Sequence, residues 1–421
     1  MKVTGIIAEY NPFHKGHEYH LRETRNILSC DYIVVVMSGN YVQRGAPTII
    51  DKYSRAEMAL RCGADLVLEL PACFSTASAE YFAFGGVAIL DKLGVIDNLC
   101  FGTESLDRQI DKNDPELLIH KFGEIAELLL NEPDEYRQVL KKSMKEGMSL
   151  AAASSEAIGA VLGPEYVALM ARSNNILGVE YLRALKILGS SIKPEPVARM
   201  LSAHKDTQIT MGFSSATAIR NAVFNKYDLN SLANTVPPEV YEILMDRYLV
   251  TFPIFRDDFS IILGEKLLSA ESAGDLTQYF GVSQNLANRF INLRNEYRTF
   301  NQFRELSYTK NINKATVGRA LMHITLGIRD ADMTRLYNKH NLNAVKVLGF
   351  RERALPLLSE IKKKADISMV TKLADYVPDP DNDGADMIMQ TTRMDMLYRM
   401  VAMNKFDVEI PTPYEQEIIR I

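Results

Sequence analysis

Ile6-Ile7-Ala8-Glu9-Tyr10-Asn11-Pro12-Phe13-His14-Lys15-Gly16-His17-Glu18-Tyr19-His20 reads as a strand that stops and a helix that starts. The apolar run Val3 to Ala8 is β-branched and shows no alternation, which predicts a strand buried on both faces of a parallel sheet. Pro12 cannot join a ladder and pushes Asn11 into an extended conformation, so the chain must leave the sheet at its carboxyl edge here. Ligands of open α/β sheets bind at that edge. His14-Lys15-Gly16-His17 then falls in the first turn of the next helix, where free backbone N–H groups and the helix dipole favour an anion. Two imidazoles flanking a glycine add donors for phosphate oxygens. A metal pair is the weaker competitor, because a helical pair wants i, i+4 spacing and a third ligand.

Downstream, DYIVVVM (31–37), DLVLEL (65–70) and Asn98 to Phe101 read as further buried strands, separated by helical runs. That alternation predicts a doubly wound parallel sheet. Arg44, in the loop after the second strand, is a candidate to face substrate phosphate or RNA. Gly102 closes the fourth strand, where a small residue lets a base or ribose approach the backbone. The stretch from about 111 to 162 is rich in Glu, Leu, Lys and Ala at helical spacing and reads as an insertion. Asn174 and Asn175 precede a helix that either could cap, and KPEPVARM (193–200) reads as the last strand. In MGFSSATAIR (211–220), Ser214 or Ser215 caps a helix that places Thr217 and Arg220 on one face.

HxGH directly after a first strand resembles the nucleotidyltransferase superfamily of the HIGH-type aminoacyl-tRNA synthetases and pantothenate synthetase. EYNPFHKGHEYHL, VMSGNYVQRGAP, DLVLELP and ARSNNILGVEYL together closely resemble the bacterial tRNA(Met) cytidine acetate ligase family, across essentially the whole chain. The resemblance implies a Rossmann-like doubly wound parallel sheet followed by a mostly α-helical C-terminal domain. It implies activation of acetate by ATP, with Mg2+, to acetyl-adenylate, then transfer to N4 of the wobble cytidine of elongator tRNA(Met). On that basis His14 and His17 are the catalytic pair, and residues Ile7 to His20, Gly102, Asn174, Arg199, Ser215, Thr217 and Arg220 form the ATP site. Asn175 would be a capping or supporting partner. Ser215-Ala216-Thr217 departs from the I-S-S-T-x-x-R motif of the superfamily by an inserted alanine, leaving open which hydroxyl from Ser214 to Thr217 meets phosphate. A small-molecule adenylyltransferase, a pantothenate-type ligase and an RNA-binding protein without catalysis are the competing readings.

At 421 residues the chain predicts two domains, a nucleotidyltransferase-like one at 1–236 and a helical, tRNA-binding one at 237–421 without strands. The net charge of −5 demands that any RNA site be a local basic patch. One candidate lies between Asn285 and His340, where Arg289, Arg294, Arg298, Lys310 and Lys314 interleave with Phe290, Tyr297, Phe300, Phe303, Tyr308 and Tyr337. A solvated helical face with core aromatics fits the same pattern, and the resemblance favours tRNA. Four cysteines without C-x-x-C spacing, no leader before Val3 and no long apolar run predict a cytoplasmic protein with reduced thiols. The acidic turn-rich stretch from Pro378 to Gly384 has too few ligand positions for an EF-hand.

Overall fold

The computed structural model describes residues 1–106, 114–199, 215–225, 229–337, 341–378 and 386–421. Strand β1 (Val3–Ala8) leads to helix α1 (Lys15–Leu28) and to β2 (Tyr32–Ser38), which pairs parallel to β1 from Val3 opposite Tyr32 to Ala8 opposite Met37. A short hairpin, β3 (Tyr41–Val42) and β4 (Ala46–Pro47), lies in the loop before α2 (Lys52–Arg61). Strand β5 (Leu66–Leu70), helices α3 (Ala72–Ser75) and α4 (Ala79–Lys92), and β6 (Asn98–Thr103) follow. Residues 107–113, where the insertion was expected to begin, lie outside the described residues. The insertion itself is α5 (Pro115–Asn131), α6 (Asp134–Lys145) and α7 (Leu150–Leu162). Then come α8 (Pro164–Met170), α9 (Ser173–Leu188), β7 (Lys193–Ala198) and α10 (Ala216–Phe224).

The parallel strands run in the order β5-β2-β1-β6-β7. Order reverses at β1, and the crevice beyond its carboxyl end is where such sheets bind ligands. Because side chains alternate along a strand, successive residues feed two separate cores. Val34, Val36, Leu66 and Leu68 face Phe82, Val87 and Leu90 of α4. Ile33, Val35, Met37 and Val67 face Leu21 and Leu28 of α1 and Met58 and Leu60 of α2.

The expectation that strands end near Pro237 is corrected. β8 (Ala344–Phe350) pairs antiparallel with β5, and it also carries β9 (Ser368–Val370) and β10 (Ile419–Arg420). AVKVLGF is buried at every position, as its apolar and β-branched content warrants. Its helical surroundings, ending in the long helix Met387–Phe406, masked it. That helix also sends Asp395 into the interior, where Lys52 Nζ donates to Asp395 and, at 2.7 Å, to Glu69. Burial opposes the charge on Lys52, but Asp395 and Glu69 outweigh it and hold its pKa above the ordinary lysine value.

The loop 39–50 joins the two halves. Gly45 has φ +61, and a Cβ there would overlap the Gly318 backbone in the helix Lys314–Leu326. Gly45→Ala should therefore cost about 1–3 kcal/mol through overpacking alone, read as a lower midpoint in urea unfolding. An unchanged midpoint would mean the helix can withdraw freely.

Candidate active site

The segment between β1 and α1 is held by bonds from three other elements. Tyr10 takes a left-handed backbone (φ 47) that a residue with a side chain adopts only when its surroundings impose it. Arg55 Nη1 donates to Glu9 O at 2.7 Å, Arg220 Nη1 to Asn11 O at 2.6 Å, and Ile49 N–H to Asn11 Oδ1 at 2.9 Å. Gln43 N–H adds a bond to Glu9 Oε1 at 3.0 Å. Arg55, fully buried, also donates to the carbonyls of Ser38, Gly39 and Ile50. Arg55 has no role assigned from the sequence, although an arginine among the apolar positions of a helical run was the available signal.

His14 is the N-cap of α1, and its Nδ1 accepts the Gly16 N–H at 3.1 Å. His17 Nδ1 accepts the His14 N–H at 3.2 Å, so the two rings cap the helix reciprocally and stack at 3.7 Å between centroids. The expectation of free backbone donors is thereby corrected. His14 N–H and Gly16 N–H are held by the imidazoles, Lys15 N–H by Thr235 O, and His17 and Glu18 N–H by His14 O. What the site presents is the far side of each ring. An Nδ1 that accepts leaves the proton on Nε2, which makes each ring a neutral Nε2–H donor. Burial, then Arg199 and Arg220, push His14 down to about 3. Burial, His14 and Arg199 push His17 well below the usual value, and burial with Arg199 takes His20 to about 4. All three are neutral near pH 7.

The other expected residues lie at the carboxyl ends of β6 and β7 and on helices α9 and α10. Arg199 follows β7, with its N–H on Thr103 O at 3.0 Å and its guanidinium 3.7 Å from Glu104. Asn174 Nδ2 donates to the same Glu104 at 2.7 Å. Neither asparagine caps α9, whose N-cap is Arg172, which corrects the capping expectation. Asn175, buried, instead fastens the end of β6 by accepting from Thr103 Oγ1 and donating to Ser105 Oγ, each at 2.7 Å. A Cβ on Gly102 would meet nothing within 4 Å and its φ is not positive, so space in front of the strand, not backbone strain, is what glycine supplies there. Ser215 caps α10 through Ala218 N–H at 3.2 Å; Ser214 lies outside the described residues. Thr217 Oγ1 accepts from Arg220 Nη2 at 3.0 Å.

The stretch Ile7 to His20 thus divides. His14, His17 and the Asn11 backbone lie beside Arg199 and Arg220. Ile7, Tyr10, Phe13 and Tyr19 are buried in the cores with Pro12, while Ala8 packs against them and Lys15 Nζ reaches Asn234 O at 2.9 Å.

The helical region uses several of the expected RNA contacts internally. Arg289 donates to Leu306 O and Ser307 O at 2.8 Å, Arg294 to Ala270 O, and Lys314 pairs with Glu305. Phe290, Phe300 and Phe303 are core. Arg298, Lys310 and Tyr308 are exposed. Lys339 and residues 379–384 of the acidic loop lie outside the described residues. No helix among the described residues is long and apolar enough to cross a membrane, and the four cysteines are free.

The HIGH Nucleotidyl Transferase family profile matches residues 1–409. The tRNA(Met) cytidine acetate ligase of Caldanaerobacter subterraneus is 38% identical over 89% of this chain and 90% of its own length. That of Acetivibrio thermocellus is 36% identical over 90% of each. The crystal structure of Thermotoga maritima TmcAL bound with alpha-thio ATP superposes with a TM-score of 0.87 at 30% identity, covering 100% of both chains. The chain carrying this histidine pair belongs to the HIGH nucleotidyl transferases and, within them, to the tRNA(Met) cytidine acetate ligase family of ATP-dependent ligases.

Proposed function

We propose that this chain activates acetate with ATP and transfers the acetyl group to N4 of the wobble cytidine of elongator tRNA(Met) in the cytoplasm. The observation that carries the reading is the pair of stacked, neutral imidazoles at the carboxyl end of β1, with Arg199 and Arg220 beside them. The nucleotide lies across β1, β6 and β7, with its base or ribose over Gly102 and near Asn174, and its phosphates toward His14, His17, Arg199, Ser215, Thr217 and Arg220. An acetate oxygen attacks the α-phosphorus and the bond to pyrophosphate breaks. The Nε2–H groups of His14 and His17 stabilise the charge building on the phosphate oxygens. The cytidine amine then attacks the acetyl carbon, AMP leaves, and the amine loses a proton. Mg2+ would accompany ATP and neutralise charge on its phosphates; among the described residues no group of three Asp, Glu, His or Cys side chains is placed to hold a metal ion.

Residues up to 236 carry the nucleotide chemistry and the helices after them hold the RNA, with Arg298 and Lys310 as its phosphate contacts. Arg298→Ala with Lys310→Ala should weaken tRNA binding and lower the slope of log affinity against log salt by about 2, leaving acetate activation without tRNA unchanged. Parent-like affinity at low salt would remove this face from the RNA site. The function itself is tested by pyrophosphate release from ATP with a panel of small acids, with and without tRNA. Preference for an acid other than acetate, or no transfer of the acetyl group to tRNA, would overturn the reading.

A further inference from the structure

The loop 39–50 brings a second set of cations to the site, from an element that the nucleotide motifs do not include. Arg44 Nη1 and Arg220 Nη2 both donate to Thr217 Oγ1, each at 3.0 Å. Two guanidinium groups therefore meet over one neutral hydroxyl in the first turn of α10. Arg256 reaches the same loop from the helical side, donating to Gly45 O at 2.8 Å and Arg44 O at 2.9 Å. Among the described residues none of these three arginines forms an ion pair. The carboxylates in the neighbourhood are otherwise engaged, Glu9 by the Gln43 N–H at 3.0 Å and Asp257 by the Asn301 N–H at 2.7 Å.

Such crowding of like charge is unfavourable unless an anion completes it. Burial and then Arg44 lower Arg220 to about 10; burial, Arg304, Arg220 and Arg44 lower Arg256 to about 9. Arg44 is nonetheless exposed, and its backbone is fixed on both sides, by the Gln43 N–H to Glu9 and by Arg256 to the carbonyls of Arg44 and Gly45. A fixed, solvent-facing fork beside a second fork is the geometry that receives a tetrahedral oxyanion.

We propose that Arg44, together with Arg220 and Thr217, forms a phosphate-binding position filled either by the polyphosphate end of the nucleotide or by a backbone phosphate of the acceptor RNA. The inference rests on the reading above, which gives Arg220 and Thr217 to the nucleotide phosphates; Arg44 is the addition. It also gives loop 39–50 a function, since this loop connects the histidine segment to the helical region.

Arg44→Ala and Arg44→Lys in the full-length chain test it, with pyrophosphate release against ATP without RNA as one arm and tRNA binding against salt as the other. In Arg44→Ala, a rise of about tenfold in the ATP KM assigns the position to the nucleotide. An unchanged KM with weakened tRNA binding and a salt slope smaller by about 1 assigns it to RNA. Arg44→Lys, which keeps the charge but loses the fork, should fall between parent and alanine in the affected arm. Parent-like values in both arms would overturn the proposal, as would equal loss in both arms with a lower Tm, since that marks a structural strut. A parent chain that releases no pyrophosphate would instead fail the underlying reading, so the two failures are distinguishable.

Discussion

His17→Ala is expected to lower ATP-dependent pyrophosphate release by about 10²–10³, the usual loss for one preorganised donor at a site of developing charge. The ring has two jobs, and they separate by atom. Its Nδ1 accepts the His14 N–H at 3.2 Å and so completes the cap of α1. In the proposed reaction its Nε2–H is the donor to the phosphates. Alanine removes both, and loss of a cap costs about 1 kcal/mol of stability. His17→Asn separates them, because the amide oxygen can stand in for Nδ1 while its N–H reaches less far than Nε2. The asparagine variant should recover the parent Tm without recovering the rate. Neighbouring Tyr10 and Phe13 rings, 4.7 and 5.5 Å from the His17 ring, keep the segment packed in either variant. Parent-like turnover of His17→Ala at saturating ATP would remove this histidine from the chemistry.

The parallel half of the fold could be read from the sequence because its determinants are local. DYIVVVM and DLVLEL are runs that only a doubly buried strand accommodates, and Asn11-Pro12 marks where the first strand must end. The histidine pair was legible for the same reason, as a motif within four residues. Its hydrogen bonding was not, since the sequence does not reveal that each imidazole would take up a backbone N–H. Contacts between distant segments were the main loss. Lys52 with Asp395, Arg44 with Thr217, and Arg256 with the carbonyls of 44 and 45 pair residues far apart in the chain, and no periodicity announces such pairs. The basic, aromatic stretch after Asn285 shows the opposite error. Its composition suits RNA, yet Arg289 and Arg294 close on carbonyls and three phenylalanines fill the core, so composition alone could not say which way the side chains point.

A chain ending near Val236 is expected to aggregate and to bind no ATP, although every nucleotide motif lies before that point. Removing residues 237–421 takes β8 from the edge of β5, leaving a row of unpaired backbone groups beside buried Leu66 and Leu68. It also takes Asp395 from Lys52 and Asn40, whose bonds to it are buried. Lys52 keeps Glu69 as its partner, so this loss adds to that of the sheet edge without leaving the lysine unpaired, against a total stability of about 5–15 kcal/mol. The damage then reaches the site through loop 39–50. Tyr41 Oη donates to Met394 O at 2.8 Å and Tyr398 Oη to Thr48 O at 3.0 Å, so the helix Met387–Phe406 holds the loop whose Gln43 and Ile49 in turn fix Glu9 and Asn11. Without that helix, the turn that carries His14 and His17 keeps the bonds from Arg55 and Arg220 but loses the support of Gln43 and Ile49 for Tyr10 in its left-handed conformation. Size-exclusion chromatography and calorimetric titration with ATP check this directly. A soluble monomer that melts cooperatively and binds ATP with the parent's Kd would show that the C-terminal half is a separable appendage, with β8 dispensable to the sheet.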